Sequence, residues 1–199
     1  MNAARFEKIL KRVDEISRKY DIDPTHTEHV SYLSVALFDE LASLHHYGDD
    51  ERRLLEISGR LHDVGWSQAV DKNHNKLSGD MILEMNIPEL DSGDKMTCAL
   101  VARYHTRAIP DETRHAQFAS LPAATRNLVE WLAGILRVGD ALDNSHTGAI
   151  RRLKLDINKQ VLTLRLYSNG NCKNEINRAR RKDDLLVKKT CRQVAYECL

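Results

Sequence analysis

No apolar run in this sequence approaches the length that crosses a bilayer, which argues against an integral membrane protein. A bias toward one sign of charge is missing too. Thirty Lys and Arg against 29 Asp and Glu leave a formal net charge of +1, which excludes a general nucleic-acid coat or an acidic solvating protein. It leaves room for a local basic site. Closely paired cysteines are absent: Cys98, Cys172, Cys191 and Cys198 show no metal-type spacing, and three of them crowd the C-terminus. The expectation is reduced thiols in a cytoplasmic protein. The first residues are charged and amphipathic, without the apolar core and small-residue cleavage site of a secretory signal. Internal repeats and low-complexity segments are also lacking. What is there is an ordinary globular composition, 42% hydrophobic and 30% charged over 199 residues, enough for one sizeable core and a small appendage.

Phe6, Ile9, Leu10, Val13 and Ile16 recur at three- and four-residue spacing and predict an amphipathic helix over 3–20. Asp23-Pro24 supplies an N-cap and an N1 proline for a second helix to about Leu44, on which His26, His29 and Leu33 share the inner side. Asp49-Asp50 opens a third, with Leu54, Ile57 and Leu61 buried and Gly65 placed as the residue that stops it. Residues 66–75 read as a loop ending at His74. Lys76–Met85 reads as a helix closed by Ile87-Pro88, and another runs from Asp91 or Ser92 to about His105. After a long connection, 106–121, Pro122 opens the most apolar helix, which carries Leu128, Leu132, Ile135 and Leu136 to Asp140. The period then becomes two. Leu153, Leu155 and Ile157, then Leu162, Leu164 and Leu166, alternate with polar residues around Asn158–Gln160 and predict a β-hairpin. The remainder, with Ile176, Leu185, Leu186 and Val194, reads as one basic amphipathic helix. The expected fold is mainly α: a helical bundle over 1–148 and a hairpin-plus-helix appendage over 149–199.

His62-Asp63 stands at a helix end, where an imidazole and a carboxylate reach one point and suit a divalent metal that accepts nitrogen and oxygen. Such a dipeptide is usually a surface pair. Its company changes the weighting: His29, His74, His105 and Asp140 are all ligand types. Asp140 lies four and eight residues beyond Leu136 and Leu132, on an inward face, where a carboxylate must be paired, hydrogen-bonded or metal-bound. Against this, an imidazole such as His29 on an apolar helix face is more often a satisfied core histidine. His115 and the pair His45-His46 fit no such grouping and are read as surface. The run Arg178–Lys182 is read as a solvated helix face before a phosphate contact.

The order His29, His62-Asp63, Asp140 resembles the H…HD…D signature of the HD-domain metal-dependent phosphohydrolases. Further strings are similar to one branch, the C-terminal HD region of the exopolyphosphatase and guanosine pentaphosphate phosphohydrolase family. They are Ala36-Leu37-Phe38-Asp39-Glu40-Leu41, Leu61-His62-Asp63-Val64-Gly65, Arg103-Tyr104-His105, and Asp140-Ala141-Leu142-Asp143 followed by Ser145-His146. Larger members of that family carry an actin-like ATPase-type domain with no counterpart in these residues, so its polyphosphatase chemistry does not transfer.

The resemblance implies an HD-type helical bundle in which His29, His62, Asp63 and Asp140 hold a first divalent ion, with Asp63 able to bridge. His74 and His105 would hold a second. Mixed His/Asp ligation favours Mn, Fe, Co or Zn, with Mg acceptable. Asp63, Lys76, Arg103 and Arg107 are the expected catalytic residues, the three cations neutralising phosphate. Asp143 and His146 are expected to orient the surroundings of Asp140 or to donate a proton. The expected activity is metal-dependent hydrolysis of a phosphate ester or anhydride of a small molecule, first a nucleotide. The alternative is a non-catalytic HD module that binds a nucleotide or protein partner as a regulatory or dimerisation unit. Neither nucleic acid nor membrane is an expected partner, and a homodimer is allowed.

Overall fold

In the computed structural model, residues 1–69, 73–106 and 108–199 are described. Asn2 caps α1 (Ala3–Tyr20) by accepting the Arg5 amide at 2.9 Å, and Ile9, Val13 and Ile16 form its buried stripe. Asp23 caps α2 (Pro24–Glu40) by accepting the His26 amide at 3.1 Å, with Pro24 in the first turn where no amide partner is needed. That helix stops at Glu40, short of the predicted Leu44. The chain then re-coils as α3 (Ala42–His45) and turns on His46 in the left-handed region. This change of direction buries His45, whose Nε2 pairs with Phe38 O at 2.9 Å beside Trp131, so His45 is a core residue where a surface one was expected.

The third long helix, α4 (Asp49–Leu61), runs against α2, with Leu54, Leu55, Ile57 and Leu61 buried. It is followed by a 3₁₀ turn, Val64–Ser67. Gly65 has no positive φ, so it is not the left-handed cap predicted. It is needed for closeness: a Cβ there would lie 2.2 Å from His74 O and 2.5 Å from Ser78 N. The helices α5 (His74–Glu84) and α6 (Ser92–Arg103) pack on each other, and Asp91 caps the latter through the Asp94 amide. The 106–121 connection contains α7 (Ala116–Ala119), whose Phe118 is buried.

The most apolar helix, α8 (Ala123–Ala141), crosses α2 where a Cβ on Gly139 would strike Ser34 Oγ at 2.1 Å. This close approach sets the last turns of α8 against the middle of α2, and Asp140 next to Gly139 reaches back to His26 near its start. The strands β1 (Ile150–Ile157) and β2 (Val161–Ser168) form the predicted antiparallel hairpin, with Leu155 opposite Leu164.

Beyond the hairpin the single predicted helix is replaced by α9 (Lys173–Ala179), α10 (Asp184–Thr190) and β3 (Gln193–Cys198). Cys191 at φ 53° ends α10, and β3 joins the sheet parallel to β2, with Leu164 opposite Tyr196. The α9–α10 segment is the crossover that a parallel pair requires. Cys172 and Cys198, expected to be free thiols, form a disulfide that ties the start of α9 to the end of β3. The chain is mainly helical with a small three-stranded sheet. No helix among the described residues is long and apolar enough to cross a membrane.

Candidate metal centre

Five helices converge below the α2–α8 crossing: the first turn of α2, the end of α4, the start of α5, the end of α6 and the last turn of α8. Each delivers ligand-type side chains. His62 caps α4 and is fully buried; Asp63 follows it into the 3₁₀ turn. Because Gly65 lets the start of α5 close on that turn, His74 Nε2 comes to 3.4 Å from Asp63 Oδ1. His105 Nε2 lies 3.3 Å from the same oxygen and 3.2 Å from His74 Nε2. On the other side, Asp140 Oδ1 is 3.5 Å from His26 Nε2 and 3.8 Å from His62 Nε2, while His62 Nε2 is 3.6 Å from Asp63 Oδ2.

These separations test whether the group suits a divalent ion. Two ligands each at about 2.1 Å from one ion, at tetrahedral to octahedral angles, stand roughly 3–3.5 Å apart. The measured set is at or slightly beyond that range, so an ion could be accepted with small contraction. Two groupings emerge, His26 with His62 and Asp140, and His62 with Asp63 and His105. His62 Nε2 and Asp63 Oδ1 are buried without a hydrogen-bond partner. Buried polar atoms are rarely left so unless something else satisfies them.

The imidazoles are also held with one nitrogen turned inward. His62 Nδ1 lies 2.7 Å from Gly59 O, His105 Nδ1 2.6 Å from Ala102 O, and His26 Nδ1 2.8 Å from Asp143 Oδ2. With Nδ1 held by these acceptors, Nε2 faces the cluster and, in the neutral ring, would offer its lone pair there. Asp143, itself buried, is fixed by the Gly148 amide at 2.9 Å. It therefore orients His26 directly. His146 stacks on His26 with ring centroids 3.8 Å apart and pairs with Asp23 at 2.9 Å.

Electrostatics point the same way. Burial alone would raise the Asp63 carboxyl, but the charges of His62 and His105 hold it well below the usual range. Asp140 is likewise depressed against its own burial, chiefly by Lys182, whose buried ammonium pairs with Asp140 Oδ2. Burial would lower His26, yet Asp140 and Asp143 raise it to about 10. Burial and then the His105 charge lower His74 to about 4. The two carboxylates thus stay ionised among positive groups, the Lys182 ammonium foremost.

Of the residues predicted from sequence, His62, Asp63, His74, His105 and Asp140 come together. His29 does not: its Nε2 pairs with Ile150 O at 2.9 Å and its Nδ1 faces Asp143 at 3.2 Å. His26 takes that place. Lys76 and Arg103 line a different cavity, bounded by α5, α6 and the 106–121 connection. Arg107 lies outside the described residues. Lys182, read from sequence as part of a solvated face, is instead buried and lines the cluster's cavity of about 290 Å³; Arg178, exposed as expected, also borders it, together with Asp21, Trp66 and Asn144. The apolar stripe Val30, Leu33, Leu37, extended back one turn from Val30, lands on His26 and was the available signal for it. Nothing in the basic run marked Lys182.

A family model for Ppx/GppA phosphatase, domain III, matches residues 10–185. No curated protein matches the chain.

Proposed function

The chain belongs to the Ppx/GppA phosphatase domain III family, and from that premise we propose that it is an HD-type, metal-dependent phosphohydrolase acting on a small phosphate ester or anhydride, first a nucleotide. The observation that carries this reading is the convergence of four imidazole Nε2 atoms on Asp63 and Asp140, with His62 Nε2 and Asp63 Oδ1 buried and unpartnered.

In this reading His26, His62, Asp63 and Asp140 would hold one divalent ion, and Asp63, His74 and His105 would hold a second. Bound ions would lower the pKa of water to supply a nucleophile near neutral pH and would polarise the phosphoryl oxygens. Lys182 and Arg178 present positive charge to the same cavity and would receive phosphate oxygens. Asp21 also lines it. Burial holds the Asp21 carboxyl above its usual range, and its Oδ2 is buried without a partner. Trp66, 38% exposed and stacked on His74 at 4.0 Å, offers a flat apolar face at the mouth, which supports a nucleobase.

The second reading, a non-catalytic binding module, has one observation in its favour. Lys182 already neutralises Asp140 with a protein cation. Purified protein loaded with Mn²⁺, Co²⁺ or Mg²⁺ and screened against nucleotides and phosphomonoesters separates the two. Turnover lost in Asp63→Ala supports the hydrolase; metal uptake without turnover on any compound supports the module.

A further inference from the structure

A second cavity, also about 290 Å³, opens between α5, α6 and the chain around α7, and it serves none of the groups of the metal cluster. Its wall includes Lys76, Arg103 and Arg114, with Asp80 as the single carboxylate. Arg103 is 3.7 Å from Asp80, too long for a hydrogen bond, and Arg114 engages Asp111 through Nε at 2.8 Å. With Arg114 paired to Asp111, Lys76 and Arg103 against Asp80 leave the cavity with one net positive charge.

Two further atoms give it the character of a built site. Tyr104 lines the cavity and is wholly buried, and its hydroxyl has no hydrogen-bond partner among the described residues. Its ring is fixed edge-on against Phe118 at 5.9 Å and tilted on His115 at 5.3 Å, so the hydroxyl cannot swing to solvent. His115, in the same wall, has a buried Nδ1 that is also unpartnered. A buried hydroxyl left without a partner costs stability, so its retention asks for a ligand.

We propose that this cavity is a second anion site, which binds a phosphate or phosphoryl group through Arg103, Lys76 and the Tyr104 hydroxyl, with His115 completing the donors. A tetrahedral oxyanion matches the chemistry because it accepts several hydrogen bonds from converging directions while neutralising a guanidinium and an ammonium. The site does not depend on the metal cluster or on its catalytic reading.

The test uses the full chain, stripped of metal with chelator, and titrates inorganic phosphate and then pyrophosphate by calorimetry into wild type, Tyr104→Phe, Arg103→Gln and Lys182→Gln. The site predicts a saturable isotherm weakened about tenfold by Arg103→Gln and by about threefold or more by Tyr104→Phe, and kept in Lys182→Gln. Tyr104→Phe removes only the unpartnered hydroxyl, so it should fold with wild-type stability or better and keeps the test interpretable if Arg103→Gln does not fold. Pyrophosphate binding more tightly than phosphate identifies a phosphorylated ligand; equal binding identifies the free ion. No saturable isotherm, or one lost in Lys182→Gln and untouched by Tyr104→Phe and Arg103→Gln, overturns the proposal.

Discussion

Lys182 closes its buried ammonium on the Asp140 carboxylate across 42 residues of sequence, linking the α9–α10 turn to the last turn of the central helix α8. The pair is a lock that a divalent ion would have to share or displace. Removing one partner of a buried ion pair strands the other charge, at a cost of about 3–5 kcal/mol. Lys182→Met should therefore lower the melting temperature of the metal-free chain, and Mn²⁺ should restore much of the loss. Thermal unfolding with and without the ion checks this; a variant destabilised equally in both would mean that Lys182 serves packing alone.

Substitution at two histidines three residues apart in α2 should have opposite consequences. His26→Ala removes an inward Nε2 and should abolish metal retention, whereas His29→Ala should leave metal content intact, since its Nε2 serves Ile150 O. Metal analysis after gel filtration distinguishes them. Equal loss in both variants would contradict the assignment.

Asp143 acts through His26. Asp143→Asn weakens the acceptor for His26 Nδ1 while preserving shape, and should reduce divalent-ion affinity about 10–100-fold. Competition with a metallochromic indicator reads this directly.

Gly65 and Gly170 make a matched pair for packing. A Cβ at Gly65 meets backbone at 2.2 Å, while one at Gly170 meets nothing within 4 Å. Gly65→Ala should cost about 2 kcal/mol or more in urea unfolding, because α5 must move off the 3₁₀ turn; Gly170→Ala should be close to neutral.

Glu130 on α8 holds Lys188 and Lys189 on α10, each at 2.9 Å. Burial would raise its carboxyl, but the two lysines lower it below the usual range. A depressed folded-state pKa contributes stability that is fully present above the unfolded value and is lost as pH falls through the folded one. Glu130→Gln should thus destabilise at neutral pH and lose its effect below about pH 4. With Lys188 exposed, the neutral-pH cost should be about 1 kcal/mol. Urea unfolding across that range tests the sign.

Much of this was readable in the chain because burial and ligand chemistry coincide in the same letters. Asp140 could be placed inward from Leu132 and Leu136 and His62-Asp63 at a helix end, whereas His74, read as the end of a loop, and His105 joined the set through the family resemblance. Lys76 and Arg103 stand away from the cluster for a geometric reason. Lys76 stands two residues after His74 in α5, and two helical steps turn a side chain by roughly 200°, onto the opposite face; Arg103 ends α6, and His105 lies beyond it where the chain turns away. Hence sequence neighbours of His74 and His105 line a different cavity. Lys182 was hidden because charge runs carry no sign of where a turn between two short helices will fold. The strand β3 was hidden because Val194, eight residues beyond Leu186, also fits a helical stripe; the left-handed Cys191 is what breaks it.

The most direct test of the central claim is the divalent-metal content of the purified chain after loading and desalting, measured beside His62→Ala and Asp63→Ala. The account predicts one or two ions per wild-type chain and their loss in both variants. A wild-type chain that retains no ion from excess Mn²⁺, Co²⁺, Fe²⁺ or Zn²⁺ would contradict it.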